Sequence, residues 1–306
     1  MKRLKIIYLI ACLLCGTLRA EPPVEVITSP DATTLQYDGK VLWTYHHDAS
    51  EGKPYFHPLK TTKGALLTEL RPKDHVWHRG LWFSWKYLNG VNYWEENKAT
   101  GRSDGSTRLL ATRKRIDESQ RVTIEQRLDY APTEDGPGLL EEARQLVITP
   151  PNTSGVYTID WSSDFRALED VVLDRTPVPG EPKGKQYGGY AGLSIRLAKS
   201  LTGGTFLTRD QAIDGGGIQG YKAQWMSFNS SQGASVLIME HPESFRVPTT
   251  WYVAPMMPFF SPAVLFDAPY TMREGESFSL RYRLVVSPEA ITADHVSSIY
   301  PEWSSE

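Results

Sequence analysis

Cysteine is nearly absent from this chain of 306 residues: both copies, Cys12 and Cys15, fall in the first twenty positions. The remainder therefore has no disulfide framework, no thiolate zinc site and no cysteine nucleophile. A basic excess is missing too. Lys2, Arg3, Lys5 and Arg19 lie in that same segment, which leaves 29 basic against 36 acidic side chains and no cationic surface for nucleic acid. After residue 20 no apolar run approaches the roughly 20 residues that a membrane-spanning helix needs. Internal repeats and sustained helical periodicity are scarce as well. What is present is an acidic, tryptophan-rich chain whose 40% hydrophobic content suffices for a substantial core.

The first segment reads as an export signal. Lys2, Arg3 and Lys5 precede a short apolar stretch, Ile6 to Leu14, and Ala20 stands before the helix-breaking Glu21-Pro22-Pro23. Leu9-Ile10-Ala11-Cys12 also fits a lipoprotein cleavage box, but cleavage there would leave an apolar stub, so cleavage near Ala20 is preferred. The expectation is a periplasmic or secreted protein with a signal peptide over residues 1–20. It has no membrane association once the signal is removed, and its oligomeric state is open.

The rest is short strands punctuated by turns. Asp38-Gly39 and Asn89-Gly90 each join two strand-like runs as two-residue hairpins, the second between Phe83–Leu88 and Val91–Glu95. Further runs include Arg108–Ile116, Arg121–Tyr130, Gln145–Thr149, Val156–Trp161, Ala234–Met239 and Phe278–Val286, while Leu139–Leu146 fits helix or strand. Ser287-Pro288-Glu289 reads as a helix start, followed by Ile291, Val296 and Ile299. Arg175–Gly189, rich in Pro and Gly, reads as a long surface loop. The predicted fold is all-β: a single large antiparallel β-sandwich over residues 21–306 with a short C-terminal helix.

Five of the nine tryptophans and five of the seven histidines lie between Trp43 and Trp94. Pairing across Asn89-Gly90 puts Trp82, Ser84, Lys86, Tyr93 and Glu95 on one face, and Phe83, Trp85, Tyr87, Asn92, Trp94 and Glu96 on the other. Each face mixes rings with a carboxylate. That combination suits a sugar, whose C–H faces stack on rings while its hydroxyls bond to charged groups. His75 and His78 are three apart, which on a strand sends them to opposite faces and on a turn lets them converge. Three readings stay open: structural histidines, an acid/base pair at a sugar site with Asp74 or Glu96 as orienting carboxylate, and a divalent metal held at His75 and His78.

The strings His57-Pro58-Leu59, Asp74-His75-Val76-Trp77-His78, Gly80-Leu81-Trp82-Phe83-Ser84-Trp85 and Asn89-Gly90-Val91-Asn92-Tyr93-Trp94-Glu95-Glu96 resemble a family of exported bacterial proteins. These carry a domain of unknown function often labelled methane-oxygenase-subunit-A-like. The resemblance continues through Gly188–Ser194 and Glu240-His241-Pro242. A membrane oxygenase subunit needs several spanning helices, so that label suits this sequence poorly. The resemblance implies a sandwich related to the galactose-mutarotase-like supersandwich and a setting of polysaccharide breakdown. Arg79 is a departure, since relatives commonly have a second consecutive histidine there.

Other candidates are weaker. His241 follows the strand Ser235–Met239, and Tyr187 and Tyr190 approach another strand through glycines. Asp160 and Asp164 share a strand face and offer a carboxylate pair for glycoside hydrolysis. The glycines at 215–217 lack the Lys-Ser/Thr of a phosphate loop. The leading expectation is an enzyme acting on an oligosaccharide or modified sugar by acid/base chemistry, without a cofactor. His75, His78, Glu96, His241 and Tyr190 handle protons in this reading. Arg79 and Lys86 neutralise an acidic group or a developing enolate, and Trp77, Trp82, Trp85, Trp94, Asn92 and Tyr187 hold the sugar. Elimination of the lyase or dehydratase type is preferred. A glycoside hydrolase and a non-catalytic carbohydrate-binding protein are the alternatives.

Overall fold

Asp38 and Gly39, like Asn89 and Gly90, all have positive φ, the backbone that closes a two-residue hairpin with the right twist. The computed structural model containing them describes residues 22–213 and 216–305. The segment read as an export signal lies outside the described residues. Those described form two nine-stranded antiparallel sheets and one four-stranded sheet. The first large sheet runs in spatial order Val24–Thr28, Ala32–Tyr37, Lys40–His46, Tyr55–Leu59, Leu81–Ser84, Gly192–Arg196, Phe259–Pro262, Thr250–Ala254 and Gln219–Lys222. The second has Ser277–Ser287 at its centre, flanked by Ser235–Glu240 and Tyr157–Ala167, with Leu140–Ile148, Val122–Ala131 and Ser106–Ile116 beyond the latter. Leu139–Leu146, ambiguous in sequence, is therefore mostly strand. The small sheet joins Tyr87–Leu88 and Val91–Asn92 to Val171–Asp174 and Tyr270–Met272.

The two large sheets face each other across the core, making the all-β sandwich that the strand pattern predicts. Phe83 and Trp85 meet Phe165 of the second sheet at 5.3 and 5.1 Å between ring centroids, and Phe206 meets Phe260 at 5.3 Å. Strand alternation then sends the intervening residues of the first sheet outward. Leu81 and Phe83 point into the core and Trp82 away from it; Trp251 and Val253 point in, Tyr252 and Ala254 out; Phe260 points in, Phe259 out. That outward set is the floor on which the candidate site is built.

The helix is Ala293–Trp303, beginning later than the Ser-Pro-Glu signal predicts. Ser287 is still a strand residue, paired with Ser235, so the cap falls to Thr292, whose hydroxyl accepts from the His295 N–H at 3.2 Å. Ile291, Val296 and Trp303 pack on Trp225, Leu237 and Met239, the outer face of the second sheet. No helix among the described residues is long and apolar enough to cross a membrane.

Candidate active site

The segment Arg71–Gly80 folds as successive turns: the His75 N–H donates to Pro72 O at 3.0 Å and the His78 N–H to His75 O at 2.9 Å. Gly80 closes it at φ +75°, where a Cβ would run into the Phe56 carbonyl oxygen. On this turn His75 and His78 converge, stacked with ring centroids 4.7 Å apart and planes 22° apart. Their environments differ. His75 is a third exposed, and its Nδ1 lies 2.9 Å from Asp74 Oδ2. Asp74 is held in turn by Arg196 at 2.9 Å. Partial burial works against the Asp74 charge, yet the bonds from His75 and Arg196 bring its carboxyl down to about 2. The Asp74 carboxylate orients the His75 ring through Nδ1, with Nε2 left for another partner. His78 is buried between His75 and Phe259, and burial, with the nearby His75 and Arg196 charges, holds its pKa well below the usual histidine range. It serves as a neutral ring.

The Asn89-Gly90 hairpin keeps its predicted register, with Leu88 paired to Val91 and Tyr87 to Asn92. Beyond Asn92 the predicted faces fail. The Asn92 carboxamide oxygen accepts from the N–H groups of Trp94 and Glu95 at 2.9 and 3.3 Å, and this side-chain turn bends the chain out of strand phase. Tyr93 consequently joins Trp85 in the core, while Trp94 stacks beside Trp82 at 5.2 Å on the outer face. Glu95 is delivered to the same side. There it pairs with Lys86 and accepts from the Tyr190 hydroxyl at 2.7 Å. Burial opposes the Glu95 charge, but Lys86 and the hydrogen bonds of Lys86 and Tyr190 keep its pKa below the ordinary carboxylate range. Burial, then the Glu95 charge, pushes the Tyr190 phenol far up, so it stays protonated.

These groups open on one cavity of about 610 Å³. His75, Trp77, His78, Trp94, Tyr187 and Tyr190, all singled out in the sequence, line it. So does Glu95, which the sequence put on a ring-bearing hairpin face, and so do Ile218, Tyr252, Met256, Met257 and Phe259, which the sequence did not single out. For Tyr252 and Phe259 the alternation with Trp251 and Phe260 was a usable signal; for the loop residues there was none.

Several expected residues lie elsewhere. Trp82 is buried beneath His78, 5.1 Å away, and supports it; Trp85 belongs to the sandwich core. Asn92 is spent on the turn. Arg79 is buried behind the cavity wall, clamped by Glu51 and by Glu96 at 2.5 Å, and Arg71 binds the other Glu96 oxygen at 3.0 Å. Glu96 therefore faces away from the cavity that Glu95 lines. Lys86 is buried against Glu95 and offers no free cation to a ligand. His241 packs on Trp303 of the C-terminal helix at 5.4 Å and is not among the cavity's residues. Asp160 is paired with Arg283 at 2.6 Å, and Asp164 bonds Ser279, both on the second sheet.

Among the described residues, His75 and His78 do not join a third ligand-type side chain in a group that could hold a metal ion.

A family model described as a family of unknown function (DUF6807) matches residues 32–300. No curated protein matches the chain. Among solved structures, similarity is found to the galactosidase domain of an alpha-galactosidase-sucrose kinase, at 9% identity and a TM-score of 0.41, covering 88% of this chain and 41% of that one. An alpha-N-acetylgalactosaminidase from Bifidobacterium bifidum, in complex with GalNAc, overlaps 94% of this chain and 38% of its own at 11% identity and a TM-score of 0.34. A galactose mutarotase-like protein from Lactobacillus casei is covered over its whole length, with 86% of this chain, at 10% identity and a TM-score of 0.21. Overlaps this loose transfer no activity.

Proposed function

The chain belongs to this family of unknown function, and from the geometry of its cavity we propose that it is an enzyme acting on a neutral sugar or oligosaccharide by proton transfer, of the eliminating rather than the hydrolysing kind. One observation carries the reading: among the described residues the cavity is lined by a single carboxylate, Glu95, together with an imidazole, His75, whose ring is held by Asp74. Hydrolysis by paired carboxylates needs a second acid across the sugar ring, with a raised pKa. Among the described residues nothing lining the cavity supplies it, and Glu95 is held ionised.

In the proposed step His75 Nε2 takes a proton from a ring carbon. The electron pair freed there forms a C=C bond, the adjacent C–O bond breaks, and the departing oxygen recovers the proton from His75. Glu95 and the Tyr190 hydroxyl bind substrate hydroxyls, and Trp77 supplies a stacking face, with the buried Trp94 and Tyr252 rings behind it. No unpaired cation lines the cavity among the described residues, so a neutral carbonyl next to the reacting carbon, and not a carboxylate, acidifies its C–H. The role given to Arg79 and Lys86 in neutralising an acidic sugar is dropped for the same reason. Export, read from residues 1–20, is retained as part of the proposal.

The test is a screen of the protein against neutral, acidic and carbonyl-bearing oligosaccharides, read by the ultraviolet absorbance of a new conjugated double bond and by product mass. Elimination products from a neutral substrate are expected, with the rate falling about 10²–10⁴-fold in His75→Gln. Cleavage with gain of water makes the protein a hydrolase and overturns the reading. Sugar binding without turnover, equal in both proteins, makes it a binding module.

A further inference from the structure

The cavity is larger than one sugar ring requires. Its volume of about 610 Å³ sits within the roughly 300–1,000 Å³ of sites that enclose drug-sized ligands. Beside the hydrogen-bonding side chains that line it, the chain adds apolar ones at Ile218, Met256 and Met257. Met256 and Met257 lie in the turn between Thr250–Ala254 and Phe259–Pro262, a turn closed by the Met257 N–H bonding to Ala254 O at 3.1 Å. Met256 is 75% exposed and Tyr187 52% exposed, and both line the cavity. Ile218 adds a third apolar side chain from a separate loop.

Single exposed apolar side chains are ordinary on a protein surface. Here two exposed side chains, Met256 and Tyr187, come from separate loops to line one cavity, with the part-buried Ile218 from a third, so a ligand that fills the cavity covers them together. We infer that the mouth they form is a subsite for a flat aromatic group carried on the sugar, and that Met256 and Tyr187 select for it. The inference rests on the reading of the inner cavity as a sugar site. An aromatic ring is favoured over an alkyl chain for two physical reasons. A thioether contacts ring edges favourably, and Tyr187 offers a ring to pack against. A rigid ring also loses less conformational freedom on binding than a flexible chain. A charged group is disfavoured because Met256, Met257, Ile218 and Tyr187 bring no opposite charge. The substrate class is thus a neutral aryl glycoside.

The experiment is calorimetric titration of the full chain with matched phenyl and methyl glycosides of glucose, galactose, N-acetylgalactosamine and rhamnose. For the sugar that binds, the phenyl glycoside is expected to bind about tenfold more tightly than the methyl glycoside, as burial of part of a ring implies. Met256→Ser and Tyr187→Ser should each shrink that ratio by weakening the phenyl glycoside. Met256 is mostly exposed, so its replacement does not threaten the fold. Equal affinity for both glycosides overturns the aromatic subsite while leaving the sugar site standing. Phenol binding as tightly as the phenyl glycoside, with no methyl glycoside bound, overturns the sugar site and this inference with it.

Discussion

Arg79 and Lys86 show how little a residue's type says about its task until its neighbours are known. Both are cations beside an aromatic cluster, and in sequence both look available to an anionic ligand. In the fold each is consumed by carboxylates of the same protein. The Arg79 guanidinium is fully buried and spans Glu51 and Glu96, with Glu96 itself buried. Removing one partner of such a cluster leaves charge without compensation in a low-dielectric site. Arg79→Met is therefore expected to destabilise the protein by about 3–5 kcal/mol, measured as a lowered urea midpoint. A loss under about 1 kcal/mol would show that the cluster is solvated, as surface pairs are. Adjacent Glu95 and Glu96 diverge in the same way: the side-chain turn at Asn92 sends one to the cavity and the other to the arginines.

At the scale of the element, the central hairpin separates two kinds of tryptophan. Trp85 continues the inward alternation of Leu81–Ser84 and packs on Phe83, Phe165 and Phe278. Trp77 stands on the preceding turn and lines the cavity. Trp85→Ala should cost about 3–5 kcal/mol through the void it leaves, with sugar affinity retained in the folded protein. Trp77→Ala should do the opposite, weakening sugar binding about tenfold with little change in the unfolding midpoint. Paired denaturation and titration curves for the two variants decide the matter; a common effect on both quantities would mean that the division between core and cavity is drawn in the wrong place.

Across the whole molecule the sandwich tolerates charge in its interior only where partners surround it. Glu142 accepts from Arg144 at 2.7 Å, Tyr130 at 2.5 Å and Ser163 at 2.6 Å, and every member of that network is buried. Glu240, at the end of Ser235–Glu240, accepts from the Thr249 hydroxyl at 2.8 Å and from the Thr249 N–H at 3.1 Å. Burial pushes its pKa up to about 8, with the two Thr249 bonds opposing. The folded protein then holds a proton that the unfolded chain releases near 4.5, so the stabilising contribution is complete below about 4.5 and is lost as pH rises through about 8. Glu240→Gln is expected to gain in stability over the parent protein steadily between these values. Parallel curves of midpoint against pH for the two proteins would contradict it.

Much of the architecture was legible in the sequence because its causes are local. Asp38-Gly39 and Asn89-Gly90 dictate hairpins through positive φ, and alternation along Thr250–Ala254 or Leu81–Ser84 dictates which side chains share a face. The convergence of His75 and His78 was legible as the consequence of a turn. Three things were decided only by the tertiary structure. Asn92 bends the chain and exchanges the faces of Tyr93 and Trp94, an effect set by one side-chain oxygen and invisible to a rule of alternation. His241 stands at a strand end, as its sequence suggests, but on the second sheet beneath the C-terminal helix. The mouth of the cavity is assembled from residues 187, 218 and 256, brought together because the strands that carry their loops are neighbours in space and not in sequence. Local pattern determines how each segment folds; which segments meet depends on sheet order, and no local pattern encodes that.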